Sequence, residues 1–270
     1  MESISLPKKI KVAPKDGSEF TGELTIEPMY PGYGPTIANA LRRVLLGSLP
    51  GAAIYAFKIK GVTHEFGSIE YVKEDVVDIS LNLKRVNLKS FSNEPVELKL
   101  NISGEQVVTA GDIEKNSDIE IANSDQVIMT LTDKAASVDM TLWVRPGRGY
   151  DTVESRGKEA HLEVNAIAID SIFTPVHQVG YQVDNVRVGD RTDYDKVIMQ
   201  IETNGTITVS DAVKQAAGIL AGHFKLVSEF EALTESDSDD SEAVDGIEPE
   251  KIGSEEASAE KIEEEERKKE

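Results

Sequence analysis

The sequence predicts an α+β fold: a domain of antiparallel strands and two helices, interrupted by a β-rich insert and followed by a disordered acidic tail. Three observations lead there. Short alternating segments separated by turn residues fill most of 96–144, the spacing of a small antiparallel sheet. Two stretches, 36–49 and 211–232, carry apolar residues at helical intervals instead. From about residue 233 the chain holds 16 Asp plus Glu against 5 Lys plus Arg, too charged and too poor in large apolar residues to fold alone.

Taken in order, residues 8–28 read as a β-hairpin. Lys9-Ile10-Lys11-Val12 alternates, Lys15-Asp16-Gly17-Ser18 supplies the turn, and 19–27 alternates again. A helix follows, opened by Pro35 or Thr36 and closed by Gly47 to Gly51. Ile37, Ala38, Ala40, Leu41, Val44, Leu45 and Leu49 fall on one side of it, and Asn39, Arg42, Arg43 and Leu46 on the other. The second side reads either as a surface made to be covered by another chain, since guanidinium groups suit interface ion pairs, or as a solvated face with one stray leucine.

After Pro50 the composition turns to strand at 53–60, and Val72, Val76, Ile79 and Leu83 predict a helix over 71–84. Five alternating segments then span 96–144. Residues 145–160, with Gly147, Gly149 and Gly157 among Arg145, Arg148, Arg156 and Lys158, form a glycine- and arginine-containing loop. Its start, Arg145-Pro146-Gly147-Arg148-Gly149-Tyr150, reads first as a solvent loop and alternatively as a phosphate-attracting one, though it is not a phosphate-binding loop leading into a helix. Strands are expected at 179–183 and 185–188, and a hairpin joining 196–202 to 206–209 through Asn204-Gly205. Ser210 is placed to cap a helix over 211–232, helped by Asp211 at its positive end. Val213, Ala216, Ala217, Leu220, Phe224 and Val227 make one stripe on that helix, and Ile219, Leu226, Phe230 and Leu233 a second. The second stripe needs cover, from the chain's own core or from a twin subunit.

The formal charge of −20 over 270 residues divides into −11 after residue 232 and −9 before it. Neither part has the basic excess of a nucleic-acid-binding domain. With no cysteine, disulfides, thiolate zinc sites and cysteine nucleophiles are excluded. No run approaches the roughly 18 apolar residues of a membrane span, and a cytoplasmic protein is expected. His64, His161, His177 and His223 share no ligand spacing, and His223 sits in apolar surroundings that suit a structural role. Asp193 and Asp195 fall on one strand face without an evident third metal ligand. No catalytic constellation is visible.

The stretch Gly32-Tyr33-Gly34-Pro35-Thr36-Ile37-Ala38-Asn39-Ala40-Leu41-Arg42-Arg43-Val44-Leu45-Leu46 closely resembles the assembly helix of the bacterial RNA polymerase alpha subunit family. Further segments agree in order: Gly61-Val62-Thr63-His64-Glu65-Phe66, Leu81-Asn82-Leu83-Lys84, Arg148-Gly149-Tyr150, Arg191-Thr192-Asp193 and Thr203-Asn204-Gly205-Thr206. The resemblance covers roughly 5–232, the family's amino-terminal part.

The resemblance implies a dimerisation and assembly domain from 1–49 with 173–232, an inserted β-rich domain over 50–172, and a separate tail over 233–270. It implies a homodimer packed through Ile37, Leu41, Val44, Leu45, Ile219, Leu220, Phe224, Leu226, Val227 and Phe230, on which the beta and then the beta-prime subunits assemble. Arg42, Arg43, Leu46, His64, Glu65, Arg191, Thr192, Asp193, Asn204 and Gly205 become candidate contacts to those large subunits, and Lys84 a candidate for beta-prime. Nucleotidyl transfer and its magnesium would belong to the catalytic large subunit, leaving no cofactor in this chain. The family's carboxy-terminal DNA-binding domain has no counterpart after residue 232, so DNA is expected to be met only through the complex. The rival reading is a free-standing interaction or chaperone-like protein that binds basic partners through the acidic tail.

Overall fold

Two sheets with separate cores organise the chain. The computed structural model describes residues 4–15, 17–156 and 163–230. The acidic segment from 233, the tip of the arginine-containing stretch at 157–162 with His161, and the expected end of the last helix at 232 lie outside the described residues.

The hairpin at the start is formed by β1 (Lys9–Lys15) and β2 (Ser18–Met29). Helix α1 (Tyr33–Gly47) follows, then β3 (Pro50–Ile59) and α2 (Val76–Leu83). Short strands come next: β4 (Leu88–Ser90), β5 (Val96–Ser103), β6 (Gln106–Thr109), β7 (Ile119–Ile121) and β8 (Val127–Leu131). Long β9 (Ser137–Arg148) leads to β10 (Tyr150–Asp151), the single turn α3 (Val153–Arg156), β11 (Ile167–Ala168) and β12 (Ser171–Ile172). The chain closes with β13 (Val176–Val188), β14 (Arg191–Thr203) and α4 (Val209–Ser228).

The first lobe is the antiparallel sheet β1-β2-β14-β13. Alternation in β2 and β14 turns Leu24, Ile26, Val197, Met199 and Ile201 to one face, where Leu41, Leu45 and Leu49 and the α4 residues Val209, Ala212 and Ala216 cover them. The second lobe is the sheet β5-β9-β3-β4-β7, with β11 added to β3. Its core joins Phe57, Ile59, Leu98, Leu100, Met140 and Leu142 to Val76, Ile79 and Leu83 of α2. Burying each such side chain contributes on the order of 1.5–3 kcal/mol, which makes each lobe's apolar face its main source of stability. Residues through Ser228 form one unit; a second begins at Glu229, where the described Glu229 and Phe230 are exposed.

Four expectations are corrected. The helix predicted over 71–84 begins only at Val76, because Tyr71 adopts a left-handed φ of 61° and Asp75 caps the helix by accepting from the N–H of Asp78 at 2.7 Å. Residues 179–188 form one strand rather than two. Asn204-Gly205 does not turn a hairpin: β14 pairs with β13 and β2, and the chain after Thr203 leads into α4. Finally, α4 starts at Val209, and Thr208 rather than Ser210 accepts from the first-turn N–H of Asp211, at 3.2 Å.

Candidate assembly surfaces

The arginine-bearing helix α1 is anchored at its start by a residue 161 positions away. Gly32 and Gly34 donate their N–H groups to Oδ2 of buried Asp195 on β14, at 2.9 and 2.8 Å. A carboxylate there satisfies two of the helix's orphan donors and opposes its positive end. A side chain at Gly34 would come within 2.8 Å of both that oxygen and Val183 Cγ1, which is why the turn carries glycine. Asp195 therefore serves as a helix anchor. Asp193 pairs instead with Arg191 at 2.8 Å, and the guanidinium holds its carboxyl below the usual carboxylate range. The Arg191 guanidinium also lies over the rings of Tyr30 and Tyr194, 5.9 and 5.4 Å from their centroids, and Tyr33 meets Tyr30 edge-on. Tyr33 belongs to the motif that opens the helix, but Tyr30 and Tyr194 were not singled out in the sequence, and only the fold brings Tyr194 to the other two. Thr192 beside them is exposed.

Along α1 the predicted residues divide. Leu41 and Leu45 are buried in the chain's own core, so neither lies on a free dimer surface; their interval served the fold. Ile37 and Val44 are half-buried against the same core. Leu46, expected to be exposed between two arginines, is half-buried and packs on that core too. Arg42 donates from Nε to the Val179 carbonyl on β13 at 3.3 Å, whereas Arg43 is exposed and unpaired among the described residues.

Helix α4 packs on α1 and on the sheet through its first half, with Ile219 and Leu220 half-buried. From residue 221 to 230 every position is exposed. Phe224, Leu226 and Val227 are 65, 71 and 73% accessible, and Phe230 in the following unit 74%. Of the second stripe, Ile219 packs on the chain's own core, Leu226 and Phe230 are exposed, and Leu233 lies outside the described residues. His223 is exposed as well, correcting its expected apolar setting.

On the insert lobe, Lys84 closes a network. It lies 3.4 Å from Asp170 Oδ2 and donates to Tyr150 Oη at 3.1 Å, while Tyr150 donates to the same carboxylate at 2.8 Å. Asp170 Oδ1 accepts from the N–H of Val153 at 2.9 Å. That N–H above all, then Tyr150 and Lys84, holds the Asp170 carboxyl below its ordinary value.

The segment read as a solvent loop is built into the lobe through Arg156. β9 continues through Arg148, and Arg145 pairs with Asp151 between the rings of Tyr55 and Phe173. Arg156 is buried, donating to the carbonyls of Tyr55 at 3.0 Å and of Ile169. Burial lowers its pKa, but a guanidinium starts so high that it stays a cation.

His64, Glu65 and Phe66 project from a turn held by buried Val62. Asn204 and Gly205 lie where the two lobes meet: the Asn204 carbonyl accepts from Asn87 Nδ2 at 2.9 Å. Among the described residues no three His, Cys, Asp or Glu side chains gather as metal ligands, and no helix is long and apolar enough to cross a membrane.

One lobe carries an arginine helix beside an apolar helix end that is exposed in the single chain, and the other is an inserted sheet; both present surfaces suited to contact with other chains. Residues 57–174 match the family model for the RNA polymerase Rpb3/RpoA insert domain. The chain is 43% identical over 230 residues to the DNA-directed RNA polymerase subunit alpha of Herpetosiphon aurantiacus, covering 85% of this chain and 68% of that one. It is 44% identical over 234 residues to the same subunit of a Roseiflexus species, covering 87 and 71%, and 46% identical over 219 residues to that of Moorella thermoacetica, covering 81 and 68%. The chain belongs to the bacterial DNA-directed RNA polymerase alpha subunit family.

Proposed function

We propose that this chain is the homodimeric platform on which the beta and beta-prime subunits of RNA polymerase assemble. Within it, 1–49 with 173–232 would be the dimerisation and assembly domain and 50–172 the insert. The observation that carries the dimer is the exposed second half of α4, where Phe224, Leu226 and Val227 lie open on a helix whose first half is buried. An apolar surface of this kind is what a two-fold, self-complementary contact covers. Ile37, Val44, Ile219 and Leu220, half-buried beside it, would border that contact.

Arg43 is the first candidate for a large-subunit contact, because its guanidinium has no partner among the described residues. Exposed His64, Glu65 and Thr192 and the Arg191–Asp193 pair offer further polar contacts, and the Lys84 network one on the insert lobe. The platform supplies no reacting group: nucleotidyl transfer and its magnesium belong to the large subunits, DNA is met through the complex, and the site of action is the cytoplasm.

The test is purification of the tagged chain from its native cells, with stoichiometry read by native mass spectrometry. Two copies with one each of two far larger chains are expected, and Arg43→Ala should lose the large chains while keeping the dimer. A chain recovered alone, or Arg43→Ala assembling as wild type does, would overturn the platform or its arginine contact respectively.

A further inference from the structure

Among the described residues the two lobes share no core: each buried apolar cluster belongs to one lobe, and every dense packing of element on element lies within one. The chain crosses between them twice, at Leu49–Pro50 and again around Phe173. At the second crossing buried Phe173 is clamped. A side chain at Gly147 would come within 2.7 Å of its ring, and one at Gly51 within 1.8 Å of its carbonyl oxygen. A clamp at one place fixes position but leaves an angle to be set elsewhere.

The second attachment is Asn87. Its backbone is tied into the insert lobe: its N–H donates to Asn123 Oδ1 at 2.7 Å, and its carbonyl accepts from the N–H of Ala122 at 2.9 Å. Only its side chain leaves that lobe, donating from Nδ2 to the Asn204 carbonyl at 2.9 Å. Asn204 is held just as firmly on the other side, where its N–H donates to the Pro175 carbonyl at 2.9 Å and its Oδ1 accepts from the N–H of Thr206 at 3.0 Å. Next to it Gly205, at a φ of 90°, lies so close that a Cβ would touch that of Ala122 at 3.4 Å. Clefts of about 1070 and 450 Å³ open near this junction, the first reaching Gly205 and Ala122, the second Asn204, Asn87 and Asn123. The contact is thus a narrow bridge with space beside it.

We propose that Asn87 is a positioning residue for polymerase assembly: its hydrogen bond to Asn204 sets the angle between the lobes, so that Arg43 on one and Lys84 on the other meet the large subunits together. This rests on the platform reading. It gives the Thr203-Asn204-Gly205-Thr206 segment a role inside the chain, beside the direct large-subunit contact that the resemblance implied. If the assembly-competent angle becomes only partly populated, the apparent affinity for the large subunits falls by that fraction. Losing one hydrogen bond of ordinary strength corresponds to roughly a fivefold loss. Asn87→Asp, which sets a carboxylate against the Asn204 carbonyl oxygen, should cost more than Asn87→Ala.

Because the chain has no cysteine, Lys11→Cys and Lys99→Cys, both at exposed positions on different lobes, give a spin-label pair. Diluting labelled with unlabelled full-length chain isolates the distance within one copy. The expected result is a shifted or broadened distance for both Asn87 variants. Recovery of large subunits should fall about fivefold for Asn87→Ala and further for Asn87→Asp, with dimer stoichiometry unchanged. The fluorescence of Trp143, the sole tryptophan and part of the insert lobe, should stay as in wild type, showing that the lobe remains folded. An unchanged distance distribution in Asn87→Asp overturns the proposed bridge, and unchanged assembly despite a changed distance overturns its role. If wild-type chain recruits no large subunit, the platform reading falls with the assembly role, while the distance measurement still decides whether Asn87 sets the angle.

Discussion

Asp195 reaches from β14 to the first turn of α1 and accepts the N–H of Gly34 at 2.8 Å, binding the arginine helix to the sheet beneath it. The same oxygen takes the N–H of Gly32, so one buried carboxylate satisfies two donors that the helix cannot satisfy itself. Asp195→Ala would leave both donors without an acceptor and is expected to cost about 1–3 kcal/mol, whereas Asp195→Asn keeps an amide oxygen in place and should cost less. Urea denaturation of the three proteins measures the difference. Equal stability of wild type and Asp195→Ala would show that the anchor is dispensable.

Asp170 predicts a specific acid sensitivity. Its folded pKa is depressed, chiefly by the Val153 N–H and then by Tyr150 and Lys84, so the folded state binds fewer protons than the unfolded one as pH falls. The stabilisation is fully present above the unfolded carboxylate value of about 4 and is lost as pH drops through the lower folded value. The side chain is partly exposed, at 36%, so solvent screening keeps the effect modest. Hydrogen exchange at the Val153 amide should accelerate, relative to its intrinsic rate, below about pH 4 in the wild type. Asp170→Asn should flatten that acid-side change; an identical profile in both proteins would remove Asp170 as its cause.

How far the sequence exposed this architecture depended on the reach of each interaction. The alternation of Leu98 and Leu100, or of Met140 and Leu142, is visible within a few residues and marks strands directly. Arg156 is different. Its acceptors are the carbonyls of Tyr55 and Ile169, supplied by segments 101 and 13 residues away, so an arginine among glycines reads as a solvent loop until the fold brings them together. The Asn204-Gly205 dipeptide has the chemistry of a hairpin turn, but the partners of β14 are β2 and β13, and tertiary pairing overrides the local signal. At the candidate surfaces, helical spacing marked Phe224 and Leu226 as apolar stripes without telling which part of α4 the core would cover. Leu41 and Leu46 show the converse, one taken for a dimer contact and the other for an exposed leucine, both in fact packed on their own core.

Tyr71 holds a left-handed backbone with φ 61°, a conformation that costs a bulky L-residue roughly 1–2 kcal/mol. The turn is retained because Thr132 donates both its N–H and its hydroxyl to the Tyr71 carbonyl, at 2.9 and 3.0 Å, tying it to the residue that follows β8. The ring itself is half exposed. Tyr71→Gly should therefore stabilise the protein by about 0.5–1 kcal/mol after the entropy of a freer unfolded chain is deducted. Tyr71→Ala, which keeps the strained Cβ, should bring no gain. Denaturation midpoints decide it, and a destabilised Tyr71→Gly would mean that the ring contributes more than the backbone costs.

The exposed half of α4 makes the sharpest claim about assembly. Leu226 is 71% accessible in the single chain, so Leu226→Glu removes nothing from the monomer's core, and surface substitutions of that kind stay within about 0.5 kcal/mol of wild-type stability. In a two-fold contact the same change acts twice, once from each copy, and buries a carboxylate against apolar surface. A loss of about 2 kcal/mol at such an anchor raises the dimer dissociation constant roughly 30-fold. Sedimentation velocity over a concentration series should find wild type dimeric where Leu226→Glu is largely monomeric, with both melting alike once the dimer has been diluted away. Phe224→Glu should behave in the same way. Two variants that remain dimers at every concentration would show that the uncovered end of α4 is not the contact between copies, and that the apolar stripe meets a different chain.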